Sequence, residues 1–310
     1  MAKISIVLPV MNEAENIEAI SKAIDEQFTA LQHDYEIIFV CDPSSDGTEN
    51  EISRLALSDK RILGIFLADR AGQTEAIRAG YESAVGDAIV SMDADFQDPP
   101  ELLPNVIKDW ENGSLIVHTK RGDRTTDTLL YRLFTGVGYK FLGWMTKGKV
   151  QHNVGDFRLI DRSIIPLVLK FGDPNPFWRG ITSLAGVNKS VIQYKRPTRR
   201  NGKTKYHARI GSPSIALRGM ASFSNKPLEI LQTLGIFSIV MSLVVITGII
   251  TFQLLSPGFQ RGVPTIIALL AFFFSIQFAS TAIIATYLIV LVEQTRRRPN
   301  FLTLPTKIDK

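Results

Sequence analysis

Two long runs without a charged residue, Thr233–Leu255 and Gly262–Val292, restrict what this chain can fold into more than any other feature. At ~1.5 Å rise per residue the first gives ~35 Å of helix, enough to cross a ~30 Å hydrocarbon core. The second is longer than a span needs, so it is expected to tilt or to begin within the interface near Pro264. A buried helix pair in a soluble core is the alternative, and two uncharged runs this long argue against it. Mean hydropathy over the 310 residues is only +0.10. The apolar excess is therefore concentrated near the C-terminus, behind a large polar portion.

Basic residues give the orientation. Arg296, Arg297 and Arg298 follow the second run, whereas the connector Ser256–Arg261 carries one Arg. The positive-inside rule then predicts both chain ends in the cytoplasm. Lys3 is followed by a short strand-like run, Ile4–Val10, so no signal peptide is expected. Cys41 is the only cysteine, which excludes an internal disulfide and fits a reducing compartment. Between Asp173 and Glu229 there is no acidic residue, while Arg179, Lys195, Arg199, Arg200, Lys203, Lys205, Arg209 and Arg218 lie there. Such a stretch is either a solvated face or a surface for anionic headgroups, at ~1 kcal/mol per basic residue near the bilayer. Ala216, Leu217, Met220 and Phe223 can share a helical face opposite Arg218, which predicts an interfacial helix. Tethering beside a bilayer argues against nucleic acid as the partner.

Residues 2–125 alternate between strand and helix patterns. Strands are expected at Ile4–Val10, Tyr35–Cys41, Ile62–Leu67 and Ala88–Met92, and helices at Glu13–Leu31, Asp46–Leu57 and Gln73–Ala84. That order predicts an open, largely parallel α/β sheet with ligands outside the carboxyl ends of its strands. Asn12, Glu13, Asp42, Asp69, Asp93 and Asp95 fall at those ends.

Asp93-Ala94-Asp95 stands out among them. It follows a buried-strand pattern and precedes Phe96-Gln97-Asp98-Pro99-Pro100-Glu101, which cannot continue a strand. Two carboxylates one residue apart suit Mg²⁺ or Mn²⁺, which bind through one or two carboxylates plus substrate phosphates. A solvated acidic turn has the same local sequence; the setting favours a metal–diphosphate site.

Ile6–Glu13, the Asp93–Glu101 run, Val154-Gly155-Asp156-Phe157-Arg158-Leu159, Gly202-Lys203-Thr204-Lys205-Tyr206 and Ser222–Leu228 occur in an order that resembles one family. The chain is similar to family 2 polyisoprenyl-phosphate glycosyltransferases of GT-A fold, near the bactoprenol glucosyltransferases and dolichol-phosphate mannose synthases. The likeness spans nearly the whole chain. It implies a GT-A domain (Rossmann-like, α/β) over 1–208, a juxtamembrane amphipathic segment over 209–228, and a two-helix transmembrane domain with a basic tail over 229–310. Two departures stand near the nucleotide. The family's Asp-Asp-Gly-Ser-type turn is Cys41-Asp42-Pro43-Ser44 here, and a Lys position after the third strand is Gln73.

By this resemblance the reaction moves a hexose from a nucleotide diphosphate to a lipid phosphate, with inversion. UDP-glucose is the expected donor and GDP-mannose the alternative; undecaprenyl phosphate is the expected acceptor. Pro9, Asn12, Glu13, Asp42, Gln73 and Asp93 would bind the nucleotide-sugar, and Asp93, Asp95 and Gln97 would hold Mg²⁺ or Mn²⁺. Asp156, Asp95 and Arg200 would act at the reacting centre. Arg121, Arg124, Arg158, Arg200 and Lys205 would meet the acceptor phosphate, as guanidinium groups suit bidentate phosphate contact. Asp156 is left open between a general base and an orienting group, because a lipid monophosphate with a second pKa near ~6 is already a nucleophile. Membrane-bound relatives imply a homo-oligomer. A processive synthase ranks below, since this chain has Phe177-Trp178-Arg179 in place of Gln-x-x-Arg-Trp. A non-catalytic scaffold binding nucleotide or lipid is the third reading. No G-x-G-x-x-G follows the first strand, which excludes a dinucleotide oxidoreductase.

Overall fold

The computed structural model of the protein describes residues 1–121, 154–170, 178–184, 186–194, 262–295 and 301–304, with scattered positions between 228 and 251. The chain forms two compact units, Met1–His207 with Arg297–Lys310, and Ala208–Arg296.

A seven-stranded sheet organises the first unit. Its strands are β1 (Lys3–Val10), β2 (Asp34–Cys41), β3 (Ile62–Phe66), β4 (Ala88–Ser91), β5 (Ile116–Arg121), β6 (Val154–Asp161) and β7 (Lys189–Tyr194), in the spatial order β3-β2-β1-β4-β6-β5-β7. β1 pairs in parallel with β2 and β4, β2 with β3, and β5 with β7. Only β6 runs against its neighbours, antiparallel to both β4 and β5. The sheet is thus the mostly parallel, GT-A-like α/β arrangement, with one reversed strand that the strand–helix alternation of the first 125 residues does not foreshadow.

Helices α1 (Ala14–Thr29), α2 (Thr48–Ser58) and α3 (Gln73–Ser83) link the first four strands, and α4 (Leu103–Glu111) precedes β5. In α1 the buried residues Ile17, Ile20, Ile24 and Phe28 form one stripe at helical spacing. Against it lie Ile4, Ile6 and Leu8 from alternate positions of β1. Each such isoleucine contributes roughly 1.5–3 kcal/mol by leaving water. The other face of β1 meets α3 more closely than a side chain allows. A Cβ on Gly80 would come 2.1 Å from Cγ1 of Val7, so glycine permits the approach.

Pro9 sits in a central strand without breaking the ladder. Val7 accepts from Met92 on the β4 side, and the β1–β4 register ends at Val7↔Ser91. Pro9 shares the parity of Val7 and lies beyond that end, where no donor is needed. Two short helices, α5 (Ile165–Leu169) and α6 (Trp178–Leu184), follow β6.

In the second unit, α7 (Val263–Thr295) contains Phe272–Ile289, the one stretch among the described residues long and apolar enough to cross a membrane. Phe272, Phe274, Phe278 and Leu288 are all exposed on it. Length and composition are the two properties that this stretch shares with a membrane-spanning helix. The first expected span, Thr233–Leu255, lies largely outside the described residues, as do the 209–228 segment and most of the basic stretch.

Candidate active site

From β1 the chain moves outward to β2 and β3, then returns to the other side of β1 for β4. Strand order therefore reverses between β1 and β4, and in open α/β sheets ligands bind at such a reversal, outside the carboxyl ends of the strands. The start of antiparallel β6 reaches the same edge.

The loops after β1 and β2 are stitched together by short polar side chains. Asn12 adopts a left-handed backbone conformation (φ 53°), and its Oδ1 accepts from the Ser45 amide at 2.7 Å. Its own amide donates to Ser44 Oγ at 3.0 Å. Glu13 donates its amide to Thr48 Oγ1 (2.9 Å), and its Oε2 accepts from Asn16 Nδ2 (2.6 Å). Asp46 accepts from the Ala14 and Thr48 amides at the starts of α1 and α2. Partial burial alone would raise its pKa; the hydrogen bonds from the Thr48 side chain and these amides outweigh that and hold it below the usual range.

Asp42 directly follows β2 and has little exposure. Its two oxygens accept from the Ala71 and Gly72 amides, each at 3.0 Å, which fixes the loop before α3. Gly72 occupies φ 85°, a region that favours glycine. Gln73 then opens α3 and donates from Nε2 to Asp93 Oδ1 at 2.7 Å. Cys41, one residue before Asp42, is buried, and burial pushes its thiol up to about 12, so it is no nucleophile near neutral pH.

The acidic turn after β4 is built from inside. Asp98 is fully buried and accepts from the Asp93 amide (3.2 Å) and the Tyr194 hydroxyl (2.7 Å). Asp95 Oδ1 accepts from the Gln97 amide at 3.0 Å, and Phe96 between them sits at φ 61°. A non-glycine residue there costs on the order of 1–2 kcal/mol, which the surrounding bonds offset. Asp93 is thus held by its backbone through Asp98 and by its side chain through Gln73.

β6 brings the third carboxylate. Its register with β4 pairs Ser91 with Arg158; continued by two residues, it sets Asp156 opposite Asp93. Tyr81 donates its hydroxyl to Ser91 Oγ (2.9 Å), and Ser91 donates to the Asp156 carbonyl (2.8 Å). Arg158 is fully buried, its Nη2 donating to Asp156 Oδ1 at 2.6 Å and to the Gly155 carbonyl at 3.3 Å. The guanidinium named on sequence grounds for the acceptor phosphate is therefore engaged with Asp156 and has no exposed surface. His118 pairs with Arg158 across β5–β6 and is also fully buried. Burial, then the charges of Arg158 and Lys189, lower its pKa to about 3, so the ring is neutral.

The structure brings together Pro9, Asn12, Glu13, Asp42, Gln73, Asp93, Asp95, Gln97 and Asp156 at one sheet edge. Arg121 is the last residue of β5, and Arg124, Arg200 and Lys205 lie outside the described residues. Among the described residues no cluster of three or more His, Cys, Asp or Glu side chains forms a metal cage. Asp93 and Asp95 carry hard carboxylate oxygens of the kind that Mg²⁺ or Mn²⁺ takes.

Residues 5–168 match the glycosyl transferase family 2 domain. The chain belongs to that family. Its fellow members include the prophage bactoprenol glucosyl transferase homolog of Escherichia coli (strain K12), 33% identical over 97% of this chain and 98% of that one. The bactoprenol glucosyl transferase of Shigella phage SfV is 32% identical over 97% of each. Among solved structures, glucosyl-3-phosphoglycerate synthase from Mycobacterium tuberculosis, in complex with Mn²⁺, UDP and phosphoglyceric acid, aligns with TM-score 0.50 and 17% identity over 71% of this chain and 77% of that one. That likeness is one of fold. This family 2 chain is a glycosyltransferase.

Sequence reading of this family 2 enzyme missed Asp98, Ser91, Tyr81 and Tyr194. Ser91 carried a signal, as a lone hydroxyl in the apolar run Ala88–Met92. Asp98 carried none, because nothing local distinguishes a buried carboxylate from the exposed turn around it.

Proposed function

We propose that this enzyme transfers a hexose, glucose from UDP-glucose, to a polyprenyl phosphate such as undecaprenyl phosphate, with inversion and with Mg²⁺ or Mn²⁺. The observation that carries the reading is the convergence of Asp93, Asp95 and Asp156 at the reversal point of the sheet. The names of the relatives, bactoprenol glucosyl transferases matched over nearly the full length of both chains, supply the sugar and the lipid class.

On this reading the Asn12–Glu13 and Asp42 loops enclose the nucleoside, with Asp42 acting through the loop it fixes. Asp93, Asp95 and Gln97 would hold the cation. When bound, the cation neutralises charge on the departing diphosphate. An oxygen of the acceptor phosphate attacks the anomeric carbon, the bond to the donor diphosphate breaks, and the nucleoside diphosphate leaves from the opposite face. The acceptor is already anionic at neutral pH, so no strong base has to remove a proton. Asp156, turned by Arg158, is then an orienting group for the acceptor or a sugar hydroxyl. Arg121, Arg124, Arg200 and Lys205 offset the repulsion between two phosphate-bearing substrates. Two spans and an interfacial helix at 209–228 hold the active site at the cytoplasmic face, with both ends inside.

The test is a donor panel in detergent: radiolabelled UDP-glucose, UDP-galactose, UDP-GlcNAc and GDP-mannose with undecaprenyl phosphate and Mn²⁺, for wild type and Asp95→Ala. Organic-extractable label from UDP-glucose, reduced at least ~100-fold in the variant, is expected. Label from GDP-mannose instead would change the sugar, and label unaffected by Asp95→Ala would remove the metal role. No label from any donor would favour the scaffold reading.

A further inference from the structure

After the apolar helix the chain does not simply end; it returns to the edge of the sheet. The Ala68 amide donates to the Leu302 carbonyl at 2.8 Å, and the Leu304 amide donates to the Phe66 carbonyl at 2.8 Å. Leu67 and Thr303 form the antiparallel bridge between these two bonds. Phe301–Leu304 therefore adds a short strand outside β3, the edge strand of the sheet. On its other side Leu67 donates its amide to the Cys41 carbonyl at 3.0 Å. The layer at this level reads β2, β3, strap.

The place of attachment matters more than its size. Ala68 is three residues before Ala71 and four before Gly72, whose amides are held by Asp42, and five before Gln73, which holds Asp93. The 68–73 loop is thus fixed from the inside by two carboxylates and from the outside by the strap. Arg296–Asn300 are the only residues between the last turn of α7 and the strap. Capping an otherwise open edge also explains why four residues with exposed Leu302 and Leu304 side chains are retained by backbone bonds.

We propose that Phe301–Leu304 is a positioning strap for the donor loop: by pairing with Phe66–Ala68 it sets the 68–73 backbone, which carries Gln73 and is bonded to Asp42, at the nucleotide. The inference rests on the donor site assigned under the proposed function.

Two adjacent proline substitutions in the full-length protein test it. Leu304→Pro removes an amide that donates to β3, whereas Thr303→Pro removes one that takes no part in either bond. Amide exchange of the 66–73 peptide and steady-state kinetics are measured for both variants and wild type. Leu304→Pro is expected to speed exchange at 66–73 and to raise donor KM about fivefold, the equivalent of one net hydrogen bond, with lipid KM unchanged. Thr303→Pro is expected to match wild type in both. Unchanged exchange in Leu304→Pro, or faster exchange with unchanged donor KM, would overturn the proposal, as would equal effects from the two prolines. Absence of hexose transfer by the intact chain would count against the donor-site reading alone, and the exchange comparison would still decide whether the strap holds the loop.

Discussion

Asp98 is the buried support of the acidic turn, and its removal has a cost that the geometry sets. In Asp98→Ala the Asp93 amide and the Tyr194 hydroxyl both lose a buried acceptor, at 3.2 and 2.7 Å in the wild type. Each unsatisfied group costs about 1–3 kcal/mol, so the variant should lose about 2–6 kcal/mol. For a unit of this size that corresponds to a melting point lower by roughly 5–20 °C. Tyr194→Phe keeps the edge contact with Phe157 (ring centroids 6.5 Å apart) and loses only the hydroxyl, so about 1.5–3 kcal/mol is expected. Because the two residues touch, the double variant should fall short of additivity by on the order of 1 kcal/mol or more. Thermal unfolding of the full-length protein in detergent gives these values, and Mn²⁺ titration of activity gives the metal requirement alongside. The half-saturating Mn²⁺ should rise in Asp98→Ala, since Asp93 loses its backbone anchor. A melting point within about 2 °C of wild type, or strict additivity with Tyr194→Phe, would refute the view that Asp98 carries the turn.

Gly80→Ala forces a methyl to within 2.1 Å of Val7 Cγ1 and should cost about 1–3 kcal/mol, with Val7→Ala in the same chain restoring part of the loss in a thermal melt. His118 has its pKa lowered to about 3 against ~6.5 unfolded, so the unfolded chain binds the proton first. Stability is therefore full above pH ~6.5 and falls by up to ~1.4 kcal/mol per unit as pH drops from there toward ~3. Urea midpoints at pH 7 and 5 should converge in His118→Gln; an unchanged pH slope would contradict this origin. Asp156→Asn should lower kcat by ~100-fold while lipid KM stays within a few-fold, and wild-type kcat/KM should decline only below pH ~6, where the acceptor phosphate gains a proton. A decline tracking an enzyme group absent in Asp156→Asn would restore the general-base role.

The parallel half of the fold was legible because its strands are mostly apolar and α1 carries one buried stripe. Ile4–Val10 and the Ile17, Ile20, Ile24, Phe28 series show both periods plainly, and the observed boundaries fall within two residues of those expected. The acidic residues at the strand ends were legible for the same reason, since topology sends every loop of a parallel sheet to one edge. β6 was not. Its residues Val154–Asp161 carry the ion pair of buried Arg158 with half-buried Asp156, and a charge in a strand interior hides the pattern that marks a core. The Phe301–Leu304 strap was equally hidden, because four residues that bind through backbone atoms leave no side-chain signature.

Gln73, which stands where the family resemblance leads one to expect Lys, has a physical role in these terms. A lysine beside Asp93 would partly neutralise the carboxylate and compete electrostatically with a cation. Gln73 donates one neutral hydrogen bond to Asp93 Oδ1, fixing its rotamer while leaving its full negative charge. On the proposed function, the diphosphate then meets more of its compensating charge from the metal and from basic residues such as Arg200 and Lys205, and less from the loop before α3. Gln73→Lys should therefore raise the half-saturating Mn²⁺ while lowering donor KM, and the two are measured in one titration. If both fall together, or neither moves, the exchange of loop charge for metal charge is wrong, and Gln73 serves only to anchor Asp93 in space.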